Sequence, residues 1–191
     1  MNTFNVEKAA QITAYFALRA GGSIDELKVL KLVYIAERAY LDAYELPLTG
    51  DTLIATSHGP VLAETLDHVN GSIPLNLEWK RYIGARVHHA VQAALGLSID
   101  ALDHLSIAAI EVLDEVWAKH GHLDGFALRD LTHDEFAEWS DSNGPARQIS
   151  YSDLFRALVG KRHEIRRSLQ RDLQVFDLAE IALETAACAA R

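Results

Sequence analysis

Apolar and polar positions follow two periods along this chain, and most of it follows the helical one. Val6, Ala9, Ala10, Thr13, Phe16 and Ala17 recur at helical spacing between Asn5, a capping residue, and the pair Gly21-Gly22, which predicts a first helix ending near Arg19. Ser23 and Glu26 match a capping box, so a second helix is expected to open there. Its stripe runs Leu27, Leu30, Tyr34 and Leu41, with Val33, Ala36 and Tyr40 alongside. An apolar surface that wide suits a helix contacted from several sides. Pro47 ends it, because a helix interior tolerates neither the ring nor the missing N–H.

Beyond Pro47 the period changes. Leu48-Thr49-Gly50-Asp51 reads as a turn and Leu53-Ile54-Ala55 as a short buried strand. His58-Gly59-Pro60-Val61 reads as a corner, with Pro60 in the first turn of a helix that carries Leu62, Leu66 and Val69 and stops near Gly71. From Ser72 to Gly96, Leu77, Trp79, Arg81 and Ile83 alternate in part, as do Val87, His89 and Val91, which predicts a hairpin around Gly84. Ala90, Ala93 and Ala94 keep helix as the competing reading from Val87 to Leu95.

Leu105-Ser106 opens a further helix with Ile107, Ile110, Leu113, Val116 and Trp117 on one side and Gly121 as its stop. A shorter one is expected from about Asp124 to Leu131. Ser142-Asn143-Gly144-Pro145 is a loop by composition, and Ser150 with Asp153 forms another capping box before Leu154, Phe155 and Leu158. In the tail, Ile165, Leu169, Leu173, Phe176, Ala179 and Leu183 keep helical spacing. The expected fold class is mainly α: a single compact helical domain over 1–191, with a small β element and a long C-terminal helix at 161–191. The β element is the strand after the Gly-Asp turn and the hairpin around Gly84.

Composition narrows the function classes. Lys and Arg number 18 against 27 acids in 191 residues, a formal charge of −9, which disfavours bulk binding to phosphate backbones and suits a partner with a basic face. The one cysteine, Cys188, allows no intrachain disulfide and fits a reducing, cytoplasmic setting. No apolar run approaches the ~20 residues of a membrane span, and Met1-Asn2-Thr3-Phe4 lacks a signal-peptide pattern.

Candidate chemistry is thin. His88-His89 fall on opposite faces of a strand, His120 and His122 straddle Gly121, and His163-Glu164 lacks the second His of a zinc-protease helix. His58, Asp51 and His133 would make a metal-dependent enzyme or regulator only if the fold joined them. Ser57-His58 has no nucleophile-elbow context, and Cys188 has no neighbouring base, so no catalytic residue, metal or cofactor is assigned. Lys161, Arg162, Arg166, Arg167 and Arg171 are the best nucleic-acid candidates. Glu164 and Asp172 interleave with them, as on a solvated helix or a face for an acidic protein patch. Lys31 is expected either to pair with Asp51 and lock the crossover or to stand in solvent; Gly50, Gly59 and Pro60 read as backbone-geometry residues.

Three segments in order, Lys31-Leu32-Val33-Tyr34-Ile35-Ala36-Glu37-Arg38, Pro47-Leu48-Thr49-Gly50-Asp51 and His58-Gly59-Pro60-Val61, resemble the signature of the Panacea domain family. Leu105-Ser106, Leu131-Thr132-His133, Glu138-Trp139 and Ile149-Ser150-Tyr151 extend the resemblance downstream. That family includes SocA-like antitoxins and phage-associated GepA-type proteins. The resemblance implies an antitoxin that neutralises a cognate toxin encoded nearby by direct contact. It also raises an adaptor role that delivers the toxin to a ClpXP-type protease. Lys31, Tyr34, Gly50, Asp51, His58, Gly59, Pro60, His133 and Trp139 carry the motif, and Arg162, Arg166, Arg167 and Arg171 are candidate partner-binding residues.

Overall fold

The computed structural model describes residues 4–74, 76–141 and 144–160. By internal contacts the chain divides into two units, Met1–Phe155 and Arg156–Arg191. Of the second, only residues 156–160 are described, and they are helical. The predicted C-terminal helix, with Arg162, Arg166, Arg167, Arg171 and Cys188, lies outside the described residues.

The first unit is mostly helical but holds two small antiparallel sheets. Helix α1 (Val6–Arg19) is capped by Asn5, whose side chain accepts from the Lys8 N–H. Helix α2 (Glu26–Tyr44) is buried without interruption from Val29 to Glu37 and packs against α1, α5 (Ile107–His120), α6 (Gly125–Glu135) and strand β3 (Gly59–Leu62). With neighbours on that many sides, α2 has no solvent face along two turns. Lys31 and Glu37 are therefore drawn inside.

Several boundaries fall differently from the sequence pattern. Ser23 does not cap α2: it lies in β1 (Ser23–Asp25), which pairs with β4 (Ala90–Gln92), and Asp25 caps the helix by accepting from the Lys28 N–H. Strand pairing holds residues 23–25 extended, so the helix starts later than the capping box suggests. The predicted hairpin of residues 72–96 is only partly present. Leu77–Lys80 is a short helix, α4, which buries Trp79, and the chain reverses at His88-His89 rather than at Gly84. Both histidines have positive φ (48° and 59°), as a two-residue type I′ turn requires.

The second sheet has the order β3-β2-β5, with β2 at Leu53–Thr56 and β5 at Arg147–Ile149. Pro60 pairs with Ala55 inside β3 instead of opening a helix, and α3 begins at Ala63 (Ala63–Asn70). The proline is tolerated because β3 is an edge strand. Its carbonyl points away from β2 to accept from Lys31 Nζ, and in an antiparallel strand the backbone nitrogen points to the same side, so no ladder bond is lost. Strand β5 had no signal in the sequence pattern. Ser106 and Ser150 cap α5 and the final helix α7 (residues 151–160) as their patterns predict, and Asp124 caps α6. Among the described residues no helix is long and apolar enough to cross a membrane.

Candidate functional site

The motif residues gather where α2, α6 and the β2–β3 hairpin meet. Lys31 has no solvent exposure, and its ammonium donates to the Pro60 carbonyl at 2.9 Å. It does not pair with Asp51, nor with any other carboxylate among the described residues. Burial, and then the Arg129 guanidinium, lower its pKa from 10.5 to about 7.

Gly59 makes this approach feasible. Its φ is +93°, and a Cβ there would stand 2.8 Å from Thr132 Oγ1, 2.9 Å from Lys31 Nζ and 3.1 Å from His133 Nε2. Glycine is required twice, once by the left-handed backbone and once by the space. The His133 ring stacks on Trp139 with centroids 3.8 Å apart and planes 3° from parallel. Trp139 in turn donates its indole N–H to the Thr56 carbonyl at 3.0 Å, which ties the end of α6 to the hairpin. Burial, followed by the charges of Lys31 and Arg129, pushes His133 below its usual pKa, so the imidazole is neutral at pH 7. Its Nε2 is buried without a hydrogen-bond partner among the described residues.

Farther along α2, Arg38 Nε bonds Glu138 Oε1 at 2.9 Å and the Arg38 Cζ lies 4.3 Å from the Phe136 ring centre, while the Tyr34 hydroxyl donates to the same oxygen at 3.4 Å. The Glu138 side chain is fully buried, and its Oε2 has no partner among the described residues. Burial raises the Tyr34 pKa, and the Glu138 charge adds to it.

A second polar web secures the crossover. Glu37 accepts from the Leu48 N–H (2.8 Å), the Thr49 N–H (2.9 Å) and the Thr49 hydroxyl (2.6 Å). The Tyr151 hydroxyl lies 2.9 Å from Glu37 Oε1 and 3.1 Å from the Asp51 carbonyl. Burial pushes the Glu37 carboxyl upward against these hydrogen bonds, which favour its charged form. Asp51 accepts from the N–H groups of Thr52, Glu64 and Thr65 and from the Thr65 hydroxyl. Leu62, at the N-cap of α3, offers no side-chain cap, so Asp51 caps that helix from eleven positions before Leu62. Gly50, with φ +72°, turns the chain into that position.

His58 does not join the corner. It is exposed in the two-residue turn of the hairpin, its N–H bonded to Thr56 Oγ1. Asp51 is committed to α3 and His133 to Trp139, so the metal-dependent constellation His58/Asp51/His133 is not assembled. No group of three His, Cys, Asp or Glu side chains that could hold a metal occurs among the described residues. Sequence reasoning singled out Lys31 and His133 without placing them together. It did not single out Glu37, Thr132 or the Arg38–Glu138 pair. The available signal was the width of the α2 apolar surface, which leaves charged residues at 31 and 37 no route to solvent.

Comparison with curated proteins and with solved structures returned no match. A family model described as "Antitoxin SocA-like, Panacea domain" matches residues 29–140, more than half of the chain. That span contains the whole corner, from Lys31 on α2 through Gly59 to the His133–Trp139 stack. The chain belongs to the family of SocA-like antitoxins with a Panacea domain.

Proposed function

We propose that this protein is an antitoxin that neutralises a cognate toxin by binding it directly in the cytoplasm. The observation that carries this reading is the family match across the structural corner of the fold. Charge supports it: residues 1–160 hold 22 acids against 12 lysines and arginines, a surface suited to a basic partner. A second function of the same contact is delivery of the bound toxin to a ClpXP-type protease. Arg162, Arg166, Arg167 and Arg171 remain the proposed contact residues beyond the family match.

The test is co-expression with the neighbouring gene. That gene is induced alone and together with this protein, growth is scored, and complexes are purified through a tag on this chain. Growth arrest relieved by this protein, with co-purification, is the expected result. A harmless neighbour that does not co-purify refutes the cognate-pair reading. Faster loss of the toxin in cells that contain the protease than in cells lacking it distinguishes delivery from simple masking.

A further inference from the structure

The Gly59 corner brings two basic side chains together beside a hairpin carbonyl. Lys31 from α2 and His133 from α6 converge on one point, 2.9 and 3.1 Å from where a Gly59 Cβ would stand. Arg129 adds a third cation one helical turn before His133. The anionic groups nearby are engaged or peripheral. Arg129 forms a salt bridge with Asp130, and Glu138 is held through Oε1 by Arg38 and Tyr34, its Oε2 being buried without a partner among the described residues. Asp130 and Asp141 act on His133 only as the weaker, opposing charges. From the hairpin the corner receives a backbone carbonyl, that of Pro60, while His58 stays in solvent.

We propose that Lys31 and His133 form a proton-sensitive clasp, in which the α6 end stays packed on the β2–β3 hairpin only while at most one of the two is charged. Acidification first fills Lys31. Protonation of His133 then sets an imidazolium against the buried Lys31 ammonium, where the hairpin offers a backbone carbonyl and no carboxylate, while the part-exposed Arg129 is paired with Asp130. Stacking on Trp139 favours a charged ring. Burial and the two cations outweigh it, since His133 is held below its ordinary pKa. The escape is outward: His133 swings into water, the stack breaks, and the Trp139 N–H leaves the Thr56 carbonyl. The surface formed by α6 and the hairpin turn is thereby altered at acid pH. This inference depends on the corner and not on the antitoxin reading.

The test follows two signals by NMR on the whole protein as pH is lowered from 8 to 4. One is the His133 ring resonance; the other is hydrogen exchange of the Trp139 indole N–H, assigned with Trp139→Phe. His133 is expected to titrate below pH 6.5, and the protection of the Trp139 N–H, taken relative to the intrinsic exchange rate at each pH, to fall at the same midpoint by tenfold or more. Lys31→Met is expected to move both midpoints upward together by at least half a pH unit. Arg129→Gln, a change at the protein surface, is expected to move them in the same direction and keeps the test valid if Lys31→Met does not fold. A His133 midpoint unmoved by either substitution, or Trp139 protection that persists after His133 has titrated, overturns the clasp. Co-purification with the toxin at pH 8 is unaffected by either outcome, so the two proposals fail separately.

Discussion

Replacing Asp51 with alanine removes a cap that α3 cannot obtain from its own sequence. The carboxylate accepts four hydrogen bonds, three from backbone N–H groups and one from the Thr65 hydroxyl. Thr52 is exposed, so its N–H finds water, and the Thr65 hydroxyl can rotate to another acceptor. The N–H of the exposed Glu64 finds water likewise, but the Thr65 N–H has no such recourse, because Thr65 is fully buried and faces a site where Asp51 is 1% exposed. Each buried donor left without a partner costs about 1–3 kcal/mol, and a lost N-cap typically about 1 kcal/mol. Relief of the desolvated carboxylate, whose pKa burial raises, offsets part of this. The expected net loss is about 2–3 kcal/mol, which for a chain of this size lowers Tm by roughly 4–12 °C. Urea denaturation followed by circular dichroism measures the total, and amide exchange over residues 63–70 localises it. Asp51→Asn keeps one acceptor and should lose about half as much. A loss under about 1 kcal/mol, or α3 amides that exchange no faster than those of α5, would refute the capping argument.

Three other substitutions probe the same architecture. Burial brings Lys31 from 10.5 down to about 7, so between those values the unfolded chain binds the extra proton and stability rises with pH. At ~1.36 kcal/mol per pH unit, the wild type should gain about 3–5 kcal/mol relative to Lys31→Met between pH 7 and 10.5, read from urea midpoints; parallel curves would contradict it. Gly59→Ala forces a Cβ into contact with Thr132 and Lys31 at a left-handed φ, and should cost about 2–4 kcal/mol in thermal denaturation. Replacing His88-His89 with Asn-Gly suits the type I′ turn and should stabilise by about 0.5–1.5 kcal/mol; no gain would mean that the turn relaxes in solution.

The sequence alone determined those elements whose energetics are local. Asn5, Ser106, Asp124 and Ser150 cap helices within three residues of themselves, and the stripes of α1, α2 and α5 repeat at the helical period. Both signals are complete inside a short window. The ordered motif segments also pointed to the family that the comparison identifies. Tertiary structure decided the rest. β5 exists only because Leu53 finds Ile149 across the fold, and Pro60 lies in a strand only because β2 and Lys31 receive it from opposite sides. Asp51 resembles a turn residue until α3 folds back over it. Lys31 resembles a surface lysine until helices and a hairpin enclose α2. In each case a short, ambiguous segment has no strong preference of its own, and contacts with distant residues supply the deciding free energy.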